Sequence, residues 1–189
     1  MDDFLIKHWL LRAYTEAVKS PDPSSQNGSG VYVRSQVSRL CDAPCEGSSD
    51  GHTWNFAGAG FNHPTGDYDR EKYLSDRDYR LKVTVHAEAA GLYAAARNGF
   101  CTNNAVLVCP WAACVECAKT IAEMGVKTLI RHKQALEFAQ RVREEQGYPQ
   151  WDPRGSDDWL LEHRGVNIIE FDGTVGGPLV RNSGREFHP

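Results

Sequence analysis

Four side chains of this 189-residue chain have the types and spacing to do chemistry: His86, Glu88, Cys114 and Cys117. His86-Ala-Glu88 supplies an imidazole and a carboxylate two residues apart, and Cys114-Val-Glu-Cys117 supplies two thiols. Imidazole nitrogens and thiolates are ligands of Zn²⁺, which is usually four-coordinate. A structural centre takes four protein ligands, whereas three leave a position for water, whose pKa the metal lowers toward about 7. Cys114 and Cys117 stand three apart at the start of an expected helix, so both sulfurs share one face and the positive end of the helix dipole favours their thiolates. His86 opens another helix. Glu88 lies near enough to exchange a proton with the water without being a ligand, and burial can bring its carboxyl toward the working pH. A Cys-x-x-Cys pair alone is often structural or redox-active, but a purely structural zinc has no use for Glu88. Hydrolysis is the chemistry this set points to.

These residues need a scaffold, and the hydrophobic pattern supplies one. Leu5, Ile6, Trp9, Leu10, Ala13, Tyr14, Ala17 and Val18 recur at helical spacing until Pro21 and Pro23 stop the helix. Gly30 to Arg34 and Thr53 to Phe61 read as strands, joined through a Gly-, Ser- and Asp-rich insertion near 36–53. From 62 to 82 the chain is polar, and reads as a long functional loop with one helical turn. Beyond it, expected helices at His86–Asn98, Cys114–Met124, Gln134–Gln146 and Asp157–His163, the first three closed by a following glycine and the last by Gly165, alternate with expected strands at Ala105–Cys109, Val126–Arg131 and Val166–Phe171. Such alternation builds parallel crossovers. Joined to an initial antiparallel hairpin, it predicts an α/β fold, a three-layer α/β/α sandwich around a mixed five-stranded sheet. Residues 1–172 form one domain in this reading, and 173–189 a tail draped over its surface.

Composition narrows the function. A formal charge of −4, from 21 basic and 25 acidic residues, gives no basic field for a long nucleic acid. No apolar run is long enough to span a bilayer, and the acidic start Met1-Asp2-Asp3-Phe4 does not read as a secretory leader. A soluble, cytoplasmic protein with reduced cysteines is expected. Cys101 and Cys109 read as ordinary buried thiols, and the charged run Arg141 to Glu145 as a solvated helix face. Cys41, Cys45 and His52 could give ligands to a second zinc, although a loop with three such residues and no recognised spacing is more often just a loop. Arg70, Lys72, Arg77, Arg80 and Lys82 either include a phosphate-binding group or belong to a solvated mixed-charge loop.

The His-x-Glu and Cys-x-x-Cys pair resembles the signature of the zinc-dependent cytidine and deoxycytidylate deaminase superfamily. Ser20-Pro-Asp-Pro-Ser-Ser-Gln-Asn-Gly28 is similar to the segment before the first strand of deoxycytidylate deaminases, and Gly60-Phe61-Asn62 to their Gly-Tyr-Asn turn. Cys117 to Gly125 and Trp159 to Val166 are similar to later helices. The likeness spans roughly residues 5 to 171 and is strongest between 84 and 131. It implies the cytidine deaminase-like fold, His86, Cys114 and Cys117 as zinc ligands, and Glu88 as proton carrier. It further implies that the Ala87 N–H meets a pyrimidine carbonyl, the Ala112 carbonyl an exocyclic amine, and the Asn62 side chain a sugar; an ordinary turn asparagine is the other reading of Asn62. The implied reaction is water attack at C4 of cytosine with release of ammonia, on a free deoxynucleotide such as deoxycytidine monophosphate. A homo-oligomer, hexameric or dimeric, with deoxycytidine and thymidine triphosphates as regulators, is implied in the same way. The chain departs from the family at Ala113, where a proline is usual, and at Pro110-Trp111. Alanine there costs stiffness rather than a ligand, and Trp111 either walls the base pocket or packs in the core. The alternatives are a deaminase of a modified cytosine or amino-purine nucleotide, a deaminase editing tRNA or single-stranded DNA, and a zinc-stabilised interaction module.

Overall fold

The computed structural model describes residues 1–34, 45–47, 53–150, 152 and 154–189. Helix α1 (Asp3–Ala17), capped by the Asp2 side chain, leads to strand β1 (Gly28–Arg34), short β2 (Cys45–Gly47) and β3 (Thr53–Phe61). Then follow β4 (His63–Pro64), α2 (Arg70–Ser75), α3 (Arg77–Val83), β5 (Thr84–Val85), α4 (Ala87–Arg97) and β6 (Val106–Val108). The chain continues through α5 (Val115–Glu123), β7 (Thr128–His132), α6 (Lys133–Glu145), α7 (Gly155–His163) and β8 (Asn167–Phe171), and closes on the hairpin β9 (Val180–Asn182) and β10 (Arg185–Phe187).

The main sheet runs β2-β3-β1-β6-β7-β8. Its five expected strands form a mixed core, antiparallel from β3 to β6 and parallel from β6 to β8, and the three-residue β2 adds a sixth strand at the edge. Side chains alternate across a strand, and the sequence uses that alternation to fill two layers. Tyr32, Val106, Val108 and Ile130 face α1 and α6, where Trp9 stacks on Tyr32 at 4.0 Å. Val31, Val33, Leu107 and Leu129 face the other way, onto Leu92 of α4, Ile121 of α5 and Leu161 of α7. The three-layer sandwich is as expected.

Two segments differ from expectation. Residues 70–83 are two short helices rather than a loop, because Asp69 and Asp76 each cap one by accepting from the N–H three residues on. The tail from 173 does not merely drape. Its hairpin buries Val180 and Phe187 against Tyr14, Trp111 and His132, with the Trp111 and Phe187 rings 5.5 Å apart. His132 Nε2 donates to the Gly173 carbonyl at 2.8 Å, so Nδ1 accepts from the Tyr14 hydroxyl at 2.6 Å, tying the tail to α1 and β7. Most of the insertion near 36–53, with Cys41, His52 and the Cys45 side chain proposed for a second zinc, lies outside the described residues. No helix among the described residues is long and apolar enough to cross a membrane.

Helix α4 carries half of the candidate chemistry and sits directly on strand backbone. A Cβ on Gly60 would come within 2.5 Å of the Ala87 carbonyl oxygen, and one on Gly58 within 2.5 Å of the Ala95 nitrogen. Ser29 Oγ donates to that same Ala87 carbonyl at 2.6 Å, pinning the first turn. Gly60→Ala is therefore expected to lift the start of α4, lowering stability by about 1–3 kcal/mol and turnover more than metal content. Thermal unfolding and metal analysis of the variant check this.

Candidate active site

His86 and Cys114 are the N-cap residues of α4 and α5, yet neither side chain caps its helix. The usual caps, Ser, Thr, Asp and Asn, turn back onto backbone N–H groups. Here imidazole and thiol instead point at each other across the junction of the two helix starts. Cys114 Sγ lies 3.3 Å and Cys117 Sγ 3.5 Å from His86 Nδ1, and the three ligand atoms lie within 4.8 Å of one another. Tetrahedral zinc with ordinary bond lengths separates an imidazole nitrogen from a thiolate sulfur by about 3.6 Å. The residues fit the ion.

Electrostatics favours a cation at this point. The Cys117 thiol, then His86, hold Cys114 down to about 3, and the hydrogen bond to Cys114 raises His86 to about 9. Cys117 is pushed well up by its thiolate neighbour, so without metal one sulfur and the imidazole keep their protons at neutral pH. Zinc must displace both. Its affinity is expected to strengthen by about two log units per pH unit across neutral pH, and by about one above about 9, where His86 is already neutral and only the Cys117 proton remains to be displaced. Competition with a chromophoric chelator at several pH values measures that slope; a pH-independent affinity contradicts it.

Glu88 is buried, 2% exposed, with Oε2 lacking a hydrogen-bond partner. Burial raises its carboxyl above the usual carboxylate range, against the opposing pull of His86. An orphaned buried carboxylate oxygen costs free energy unless something arrives to meet it. Glu88, His86 and Cys114 line a cavity of about 300 Å³, and Cys117 lies behind them.

The other expected site residues reach the same cavity or its edge. Asn62 lines it, accepting the Ala87 N–H at Oδ1 (2.9 Å) and donating from Nδ2 to the Ser25 carbonyl (3.0 Å). The Ala87 N–H is thus engaged, and a ligand carbonyl must take that hydrogen bond over. Ala112 lines the cavity, and so does Trp111, whose indole donates to the Gln26 carbonyl at 3.1 Å. Trp111 both walls the cavity and packs on the tail. Of the five basic candidates at 70–82, Arg77 and Arg80 reach the cavity; Arg80 stands 3.7 Å from Asp22 and donates to the Tyr73 carbonyl.

Several participants were not legible as such. Arg143, expected on a solvated face, lines the cavity. It stands four residues after buried Ala139, and that helical spacing was the available signal. Cys109 is buried as expected, and it also receives a hydrogen bond from Asn27 Nδ2 at 3.1 Å. Cys101 is exposed rather than buried. Asp22, Asn27 and Asn182 also line the cavity, and Asn182 arrives from the tail with no local sequence signal.

A family model described as the cytidine and deoxycytidylate deaminase zinc-binding region matches residues 32–133. The chain belongs to the cytidine and deoxycytidylate deaminase family. No curated protein matches this deaminase. Among solved structures, it resembles the dCMP deaminase of cyanophage S-TIM5 in complex with dCMP and dUMP, with a TM-score of 0.58 at 18% identity over 90% of this chain and 98% of that one. The apo form of the same phage enzyme gives 0.55 at 17%, over 90% and 99%. The Thermotoga maritima diaminohydroxyphosphoribosylaminopyrimidine deaminase/reductase gives 0.51 at 16%, over 89% of this chain and 37% of that one. At these identities the likeness is one of fold.

Proposed function

We propose that this deaminase hydrolyses deoxycytidine monophosphate to deoxyuridine monophosphate and ammonia. The observation that carries the reading is Glu88, a buried carboxylate whose Oε2 has no hydrogen-bond partner, in one cavity with His86 and Cys114 and beside the three zinc-type ligands. His86, Cys114 and Cys117 would hold zinc, which when bound acidifies water and polarises the reacting centre. The chain's own residues do the rest. Glu88 takes one proton from water as its oxygen bonds to C4 and delivers it to N3. It then carries the remaining hydroxyl proton to the amine as the C4–N bond breaks. Ala112 offers its carbonyl to the amine, Trp111 a face to the ring, and Asn62 with the Ala87 N–H a pair of groups for the carbonyl and sugar edge.

Support for a phosphate on the substrate comes from Arg77 and Arg143 at the cavity, since guanidinium forks match phosphate oxygens. The net acidic chain argues for a free nucleotide over a polynucleotide. Incubating the zinc-loaded protein with deoxycytidine, its monophosphate, a purine nucleotide and a cytosine-containing oligonucleotide tests this. Ammonia from the monophosphate, with a kcat/KM well above that for the nucleoside, is expected; release from the purine nucleotide or oligonucleotide alone would overturn the assignment.

A further inference from the structure

The cavity over the metal ligands does not close around the reacting centre. A second chamber of about 260 Å³ adjoins it, sharing Trp111, Ala112, Cys114 and Arg143 with the first but not reaching His86, Glu88 or Asn62. Asp157, in the first turn of α7, lines this chamber alone, as does Ser183 at the turn of the C-terminal hairpin. Asp157 is half-buried, and burial together with the negative charge of Cys114 raises its carboxyl above the ordinary range. Its carboxylate lines the chamber together with Cys114, where Glu88 does not reach.

Ring chemistry says which edge of a substrate meets that side. In cytosine, C4 lies between N3 and C5. With Glu88 serving N3 and the amine turned to the Ala112 carbonyl, C5 points to the part of the cavity that shares Ala112 and Cys114 and lacks Glu88. That is the second chamber. We propose that this chamber selects cytosine nucleotides bearing a polar, hydrogen-bond-donating substituent at C5, with Asp157 as the specificity-determining acceptor. The inference rests on the deaminase reading above. A hydroxymethyl group would donate to Asp157, whereas a methyl group of similar size would take water from a carboxylate and give nothing back.

The test is kcat/KM for ammonia release by the zinc-loaded full chain from deoxycytidine monophosphate and its 5-methyl and 5-hydroxymethyl derivatives. The 5-hydroxymethyl substrate is expected to exceed the 5-methyl one by roughly tenfold or more, the worth of one hydrogen bond to a charged group. Asp157→Ala is expected to bring that ratio near one, and Asp157→Asn, which keeps the shape of the helix start, to lower it. An unchanged ratio in both variants would overturn the inference. So would turnover of the unsubstituted nucleotide with rejection of both derivatives. Ammonia from none of the three would remove the deaminase reading and this inference with it.

Discussion

Glu88→Gln is expected to bind zinc as the parent does and to lose roughly 10²- to 10⁴-fold in turnover, the range a positioned proton carrier contributes. The substitution keeps the volume of a side chain that is only 2% exposed, so the packing around it is preserved. What disappears is the capacity to accept a proton from water and return it to the ring and the amine. The carboxyl is suited to that cycle because burial raises it from its ordinary range while the His86 charge keeps the rise in check. Metal content at parent level with collapsed kcat separates this role from a ligand role. Cys117→Ser, in contrast, is expected to lose metal and activity together.

Asp158→Ala is expected to lower stability by about 3 kcal/mol, a fall in Tm of roughly 6–12 °C for a chain of this size. Arg131, at 1% exposure, ranks among the most deeply buried charges described, and it stands on β7 under the start of α7. Its guanidinium forks onto Asp158 at 2.6 and 2.8 Å and reaches Glu170 of β8 at 2.9 Å, where Arg154 makes a second fork at 2.8 and 2.9 Å. Removing Asp158 leaves a buried cation with one shared carboxylate. Breaking such a pair costs more than the pair contributes, because desolvation of the survivor goes uncompensated. The start of α7 also carries Asp157, so this variant should weaken discrimination at C5 before it affects zinc. Thermal unfolding followed by circular dichroism reads the stability effect, and a change under 1 kcal/mol would contradict it.

How much of this could be read from sequence depended on how local each signal was. His86 and Cys114 open helices whose alanine-rich or amphipathic stretches end on Asn98-Gly99 and Gly125, so their placement at converging helix starts follows from short-range pattern alone. Strands β1, β6 and β7 announced themselves by short apolar runs. The cavity wall was different. Asp22 and Asn27, Arg143, and Asn182 come from three separate stretches, brought together by the packing of α6 and the tail hairpin around Trp111. Hairpin β9–β10 is fixed by pairing at a distance: Gln26 donates to the Arg181 carbonyl and Gly184 to the Ser24 carbonyl, each at 2.8 Å. No window of sequence contains such contacts. The helices at 70–83 failed to show because their caps, Asp69 and Asp76, are indistinguishable in type from the surrounding mixed charge.

The most direct measurement incubates the zinc-loaded protein with deoxycytidine monophosphate in ¹⁸O-enriched water and follows product mass and ammonia together. Hydrolytic attack at C4 predicts deoxyuridine monophosphate carrying one solvent oxygen, with one ammonia for each product molecule. Product without the label, or no ammonia from fully metallated protein, would contradict the account.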